Sequence, residues 1–353
     1  MTTEPIPVTD IARRLRRFEP AALDAVARVA RSGRVLLGPE TEAFEHEFAT
    51  YTAKAACVAV SSGTEALRLA LRALDIGPGD EVIVPAFTAV PTAAAVCAAG
   101  ATPVFADVDA ATGALDERAA AAAVTPRTRA VVVVHLYGRP APLPDLGVPV
   151  ISDAAHAHGA LTGANGHDRG AALTAYSFYP TKNLGGFGDG GAVVTDDADL
   201  AARVRLLRAH GLTDHYMHRA IATNARISEF EAAFLRAALE SLDRDNDRRR
   251  TIAARLRQAA PDLRWHPSHP DHVFHLLVTR VRERDRWRAS LPFATGLHYP
   301  VALTQQPAYE AFVRAPCPVA ESWAAECVSL PCFPELTDAE LDVVAEALAR
   351  CPE

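Results

Sequence analysis

The sequence predicts an α/β protein in two parts: a mostly parallel β-sheet flanked by helices over residues 1–242, then a smaller α+β domain over residues 243–353. Three observations carry this. Short apolar, β-branched runs alternate with helical stretches through most of the chain, the pattern of βαβ units. Several of those runs end in turns of small, hydroxyl-bearing or acidic residues, at the strand ends where open α/β sheets bind ligands. The composition then shifts across the charged run DRDNDRRR at 243–250.

The 353 residues suffice for a large core and two domains. Hydrophobic residues at 49% and charged ones at 22% are ordinary for a globular protein. A net charge of −7 with the signs mixed gives no nucleic-acid footprint, so the run at 243–250 reads as the solvated face of a helix. No apolar run has the length of a membrane span, and the start MTTEPIPVTD has neither the basic beginning nor the apolar core of a secretion signal. The six cysteines show neither metal-ligand spacing nor a disulfide framework. They read as reduced thiols of a cytoplasmic protein, and no metal is expected.

In chain order, Arg13 to Arg31 is helical, and the next helix over 38–51 sets Phe44, Phe48 and Tyr51 at core-facing spacing. Ala56 to Val60 is a strand, followed by Ser61-Ser62-Gly63-Thr64 and a helix with Leu67, Leu71 and Leu74 on its buried stripe. That turn suits an anion, because free amides point outward at a helix start; plain N-capping by Ser62 or Thr64 would look the same locally. Strands follow at 80–84, 102–108, 130–135 and 148–152, with a loop and helix after the first and a helix over 116–123. The strand at 148–152 delivers Asp153, a carboxylate that either serves chemistry or caps a following helix. Ala171 to Phe178 and Ala192 to Thr195 are strands around PTKNLGGFGDGG. Helices over 200–210 and 227–242 close the first part, and Asn224 is placed to cap the second of them. The smaller part reads as strand 273–281, helix 284–291, strand 296–299 and helix 341–349.

Lys182 is the residue around which the site is sought. The chain holds 34 arginines and two lysines, Lys54 and Lys182. Arginine keeps its proton, whereas a desolvated lysine becomes a nucleophilic amine. Lys182 lies just past a strand's carboxyl end and before the glycines at 185, 186, 188, 190 and 191, which let a backbone approach a ligand closely.

SFYPTKN followed by GDGGAVVT resembles the Schiff-base lysine segment of the DegT/DnrJ/EryC1/StrS family, the pyridoxal-phosphate sugar aminotransferases of fold type I. SSGTEAL, ISDAAHAHGA and the stretch HYMHRAIATNARISEFEAA match the family in the same order, so the resemblance covers nearly the whole chain. It implies a large domain with a mostly parallel seven-stranded sheet, and pyridoxal 5'-phosphate as cofactor. It implies that Lys182 carries the cofactor and moves the proton, that Asp153 holds the ring nitrogen protonated, and that His156 meets the ring or its phenolic oxygen. Ser62, Gly63, Thr64 and Ser177 would hold the phosphate, with Asn224 reaching across a homodimer interface to the partner's phosphate. His158 reads as a satisfied structural histidine.

Substrate contacts implied by the resemblance are Phe87, Tyr179, Tyr216, His298 and Tyr299, the last two from the HYP motif. Many members carry an aromatic after the position of Thr88 to stack on the ring; Ala89 stands there, and Phe87 is the nearest substitute. Many also have a histidine near Thr304. The implied reaction moves an amine from L-glutamate to a keto group on a nucleotide-linked, dTDP-type deoxysugar, with C3 modestly favoured over C4 by FYPTKNLG and GDGG. A cyclitol aminotransferase, or a silent descendant that keeps the fold for binding, are the alternatives; the intact Lys182 and Asp153 oppose the latter.

Overall fold

The computed structural model describes residues 5–162, 168–213 and 216–351. The first four residues of the N-terminal start and His215, the first residue of the Asn224 stretch, lie outside the described residues. Two N-terminal helices, α1 (Ile11–Ser32) and α2 (Pro39–Tyr51), lead into β1 (Ala56–Val60) and α3 (Gly63–Ala73). Then come β2 (Glu81–Pro85), α4 (Val90–Ala98), β3 (Thr102–Ala106), α5 (Glu117–Ala122), β4 (Thr128–Val134) and β5 (Val150–Asp153). β6 (Ala171–Ser177), β7 (Gly191–Thr195), α6 (Ala198–Arg208) and α7 (Glu229–Leu239) complete the large layer.

These seven strands form one sheet in the order β1-β7-β6-β5-β4-β2-β3. Every neighbouring pair is parallel except those made by β7, which runs against both β1 and β6. β2, β4, β5 and β7 are buried almost throughout, as strands covered on both faces must be, which is why they read as unbroken apolar runs. The α2 aromatics do face the core: Phe44 and Phe48 meet Phe178 edge-on at 5.3 and 5.4 Å. Leu67 and Leu71 are buried on α3.

The strand order puts the carboxyl ends of β5 and β6, the carboxyl end of β1 and the start of β7 on one edge. Asp153 pairs with Ala175, Ser177 with Gly191, and Gly191 with Val60. Residues far apart in the chain therefore meet at that edge.

The remaining elements are α8 (Leu242–Ala259), β8 (Arg264–Trp265), β9 (Leu277–Arg280), α9 (Arg284–Ala289), α10 (Pro318–Glu326), β10 (Cys327–Leu330) and α11 (Asp338–Arg350). Their three-stranded sheet, ordered β10-β9-β8, shares a separate apolar cluster with α8 and α11, in which Ile252, Leu256, Val328, Phe333 and Val344 are buried. Among the described residues no helix is long and apolar enough to cross a membrane.

Four local expectations are corrected. The run 243–250 is not simply a solvated face: Asp245, Asn246 and Arg249 are buried where α8 meets the large layer. No strand forms over 296–299, where Gly296 makes a single bridge to Ser329, and β9 occupies only the second half of 273–281. Val273 and Leu276 instead donate their amides to Gly138 and Tyr137 of the large layer. Asn224 is not a cap; Ser228 caps α7 by accepting from the Glu231 amide. Asp153 caps no helix either, since only turns follow it. β8, α10 and β10 went unread because β8 is two residues long and the other two run together at Glu326–Cys327.

Candidate active site

A cavity of about 340 Å³ opens at the sheet edge described above. Ser62, Gly63, Thr64, Asp153, His156, Ser177, Tyr179 and Lys182 all line it. A second cavity of about 250 Å³ adjoins it, shares His156, Tyr179 and Lys182, and adds His298 and Tyr299. Phe87 does not reach the first cavity. It is buried against Trp323 and Tyr299, at 5.8 and 6.3 Å between ring centroids, and Thr88 and Ala89 face the space instead. Tyr216 is 85% exposed and Asn224 is exposed, and neither lines either of these two cavities. Asn224 does sit close by: Ala225 accepts the Ser61 amide, and Arg226 bridges to Val60.

The cradle is built from Ser62 to Thr64. Ser62 Oγ accepts from the Glu65 amide at 3.2 Å and so caps α3, which leaves its own proton and the next amides facing outward. The cap and an anion site coexist in one turn. Gly63 is required there, since a Cβ would stand 2.5 Å from Cβ of Ser177. Gly191 is required for the same reason, because a Cβ would collide with the Ser62 carbonyl.

Asp153 is buried. Its Oδ2 accepts from Thr92 Oγ1 at 2.9 Å and its Oδ1 from the Ala155 amide at 3.2 Å. Burial raises its pKa, the hydrogen bond from Thr92 works against that rise, and among the described residues no cation comes within ion-pair distance. A buried carboxylate without a counter-charge is costly unless a cationic ligand meets it, and the protonated nitrogen of a pyridine ring is such a group.

Lys182 lies beyond β6 in a turn closed by its amide to the Tyr179 carbonyl at 2.8 Å. Burial pulls its pKa down to about 8, with Asp153 opposing that. The turn is held from below by Arg14 of α1, whose guanidinium donates to the carbonyls of Pro180 (3.1 Å), Lys182 (2.6 Å), Asn183 (3.3 Å) and Gly185 (2.9 Å). Asn183 ties the same turn to Asn246 of α8 at 2.8 Å and to the Val273 carbonyl at 3.0 Å.

His156 Nδ1 accepts from the Tyr137 amide at 3.2 Å, and burial holds the ring neutral. The proton therefore sits on Nε2, which faces the Tyr299 hydroxyl at 3.4 Å. His298 is depressed to about 4 by burial and by Lys182, with Nδ1 at 2.8 Å from Ser329 Oγ. His158 is not the satisfied histidine expected. Neither ring nitrogen has a well-formed partner, and it packs on Tyr176 and Phe178 at 5.4 and 5.9 Å.

Sequence reasoning missed Arg14, Thr92, Arg249 and His275. Arg14 stands 168 positions from Lys182, and one arginine among 34 carries no signal. Thr92 had a faint one, as the hydroxyl in the otherwise apolar stretch VPTAAAV.

The parts fit one group: an anion cradle, a buried carboxylate lacking its cation, a depressed lysine and a neutral imidazole donor around one cavity. The comparisons agree. Residues 17–349 match the model of the DegT/DnrJ/EryC1/StrS aminotransferase family. A relative from Streptomyces venezuelae, a dTDP-3-amino-3,4,6-trideoxy-alpha-D-glucose transaminase, is 42% identical over 99% of this chain and 97% of its own. The crystal structure of S. venezuelae DesV superposes with a TM-score of 0.92 at 41% identity, over 99% of this chain and 98% of the other. NtdA from Bacillus subtilis with bound cofactor PMP gives a TM-score of 0.91 at 27% identity, over 99% and 86%. The chain therefore belongs to the DegT/DnrJ/EryC1/StrS aminotransferase family, whose members are pyridoxal-phosphate-dependent enzymes.

Proposed function

We propose that the protein is a nucleotide-sugar aminotransferase that takes its amine from L-glutamate and delivers it to C3 of a dTDP-linked keto-deoxysugar. The observation that carries the chemistry is Lys182, half-buried and depressed to about 8, on the same cavity as Asp153, which has no ion-pair partner among the described residues. Support for C3 is the 3-amino product in the name of the S. venezuelae relative, together with FYPTKNLG and GDGG.

Pyridoxal phosphate, when bound, supplies an aldehyde that carries the amine and a ring that takes up the electrons released as the donor's Cα–H bond breaks. Gly63, Thr64, Ser62 and Ser177 bind its phosphate through amides and hydroxyls at the start of α3, where the helix dipole favours negative charge. Asp153, fixed by Thr92 and the Ala155 amide, accepts from the ring nitrogen. His156 presents its Nε2 proton toward the ring's oxygen substituent. Lys182 Nζ would take the proton that leaves the donor carbon and give it to the carbon whose protonation completes the half-reaction. Tyr179, His298 and Tyr299 line the space beside Lys182 that is open to substrate.

We further read the enzyme as a homodimer. Exposed Leu23, Val26, Phe187 and Phe230 form an apolar groove between α1, α7 and the glycine run after Lys182, a face suited to a second copy. Asn224 then serves the partner's phosphate, and Tyr216 and Phe87 bear on substrate only through the assembly and the packing beneath the site, respectively. A domain boundary at 242/243 is supported by the separate apolar cluster of the C-terminal elements. A cytoplasmic location is supported by six free thiols.

The test is incubation of the purified protein with pyridoxal phosphate, L-glutamate and, separately, dTDP-3-keto and dTDP-4-keto 6-deoxyhexoses, with the new amine located by NMR. Nitrogen at C3 is the expected result. Nitrogen at C4 would keep the mechanism and overturn the regiochemistry.

A further inference from the structure

The second cavity holds a buried cation that the mechanism above does not use. Arg249 of α8 lines it together with His275 and shares its walls with Lys182 and His298. Arg249 is 4% exposed. Its Nη1 donates to the carbonyls of Cys332 and, at 3.4 Å, Phe274, while its Nε has no partner among the described residues. Among the described residues no carboxylate lies within ion-pair distance of it; Asp245 and Glu335, which act on it from further off, are both paired with Arg17. His275 is buried beside it with an unpartnered Nδ1, its ring 4.4 Å from that of His156. A guanidinium keeps its charge even when buried, and burying one without an anion is unfavourable unless a ligand brings the anion. Arginine's fork is also the group that matches a carboxylate's two oxygens.

We propose that Arg249, with His275, receives a carboxylate of the amino-donor amino acid, and so selects the donor on the side of Lys182 opposite the phosphate cradle. This rests on the transaminase reading and adds the donor's binding site to it. A sugar diphosphate is the other anion the reaction offers. The cavity, about 250 Å³ and closed on one side by Arg249 and His275, accommodates a small dicarboxylic acid, and competition by thymidine diphosphate separates the two anions. The site thus divides its labour: cofactor phosphate at the α3 turn, donor carboxylate at Arg249.

The test uses glutarate, an unreactive dicarboxylate, on the holoenzyme. Calorimetry is expected to show glutarate binding to the wild-type protein, competition with glutamate and no displacement by thymidine diphosphate. In Arg249→Gln, glutarate affinity and the apparent affinity for glutamate in the first half-reaction are expected to fall at least about tenfold, with Arg249→Lys recovering part of the loss. The amino-sugar half-reaction run in reverse should change by less than about threefold. Displacement of glutarate by thymidine diphosphate, or equal losses in both half-reactions, would overturn the proposal. Should Arg249→Gln fail to fold, the wild-type competition still decides: glutarate that binds without competing against glutamate sinks it. A normal glutamate half-reaction with no acceptor sugar turned over would instead fault the substrate reading and leave the donor site standing.

Discussion

Lys182 and Asp153 do opposite things with burial. Desolvation lowers the lysine to about 8 and raises the aspartate, so each is moved toward its neutral form until the cofactor supplies the missing partner. Lys182→Ala is expected to keep its far-UV circular dichroism and lose both the visible absorbance of bound cofactor and all transamination; retained activity would remove the assignment. The free amine is the reactive form, so attachment of pyridoxal phosphate to cofactor-free protein should accelerate about tenfold per pH unit below 8 and level off above it. Absorbance followed from about pH 6 to about pH 9.5 checks the sign, and a rate that fell with rising pH would contradict it. Asp153→Asn should lower kcat at least about a hundredfold, because an amide cannot hold the ring nitrogen's proton. Thr92→Val removes one hydrogen bond to the same carboxylate and should cost about 1.5 kcal/mol, some tenfold in rate; a loss as large as that of Asp153→Asn would mean that Thr92 does more than position it.

The turn after β6 is shaped by elements that do not belong to it. Four of its carbonyl contacts converge on Arg14, which burial holds down to about 10, and Asn183 anchors it to α8. Arg14→Gln strands several of those carbonyls and is expected to cost about 3 kcal/mol of stability, read as a lower unfolding midpoint, together with weaker cofactor retention. Retention unchanged at a lowered midpoint would show that Arg14 supports the fold and not the turn. The cradle is similarly interlocked. Gly63→Ala forces its new methyl against Ser177, so the α3 turn or the end of β6 must shift. The expected readout is a dissociation constant for pyridoxal phosphate raised at least about tenfold, beside a cofactor-free protein destabilised by about 1–3 kcal/mol; unchanged cofactor affinity would show that the turn does not hold the phosphate.

At the scale of the whole molecule, the glycine run, α1 and α7 leave a band of apolar surface that one chain does not cover. If this face forms the proposed homodimer, replacing Leu23 and Val26 together by Asp is expected to give a monomer by sedimentation and, with the proposed role of Asn224 across the interface, weaker cofactor binding. A variant that remained a dimer would place the interface elsewhere. α8 also joins the two layers: its polar residues Asn246 and Arg249 are buried because they reach the lysine turn, His158 and the C-terminal segment, which is why a charged run was misread as a solvated face.

The sequence by itself determined the alternation of strands and helices and the turns at their ends, and its resemblance to the family singled out Lys182, Asp153 and the Ser62 to Thr64 turn. Those features are local: periodicity, a glycine density, a hydroxyl before a helix. It did not reveal that no strand forms at 296–299, that Phe87 is buried, or what Arg14, Thr92 and Arg249 do. The burial of Phe87 and the roles of Arg14, Thr92 and Arg249 depend on contacts between residues more than 60 positions apart, and nothing in their immediate neighbours marks them. Tertiary structure alone decided which side chains share a cavity, because strand order is a long-range choice. Only the sequence β1-β7-β6-β5 across the sheet brings Ser62, Ser177 and Asp153 to one edge, and only the packing of α1 and α8 beneath it fixes how Lys182 is presented.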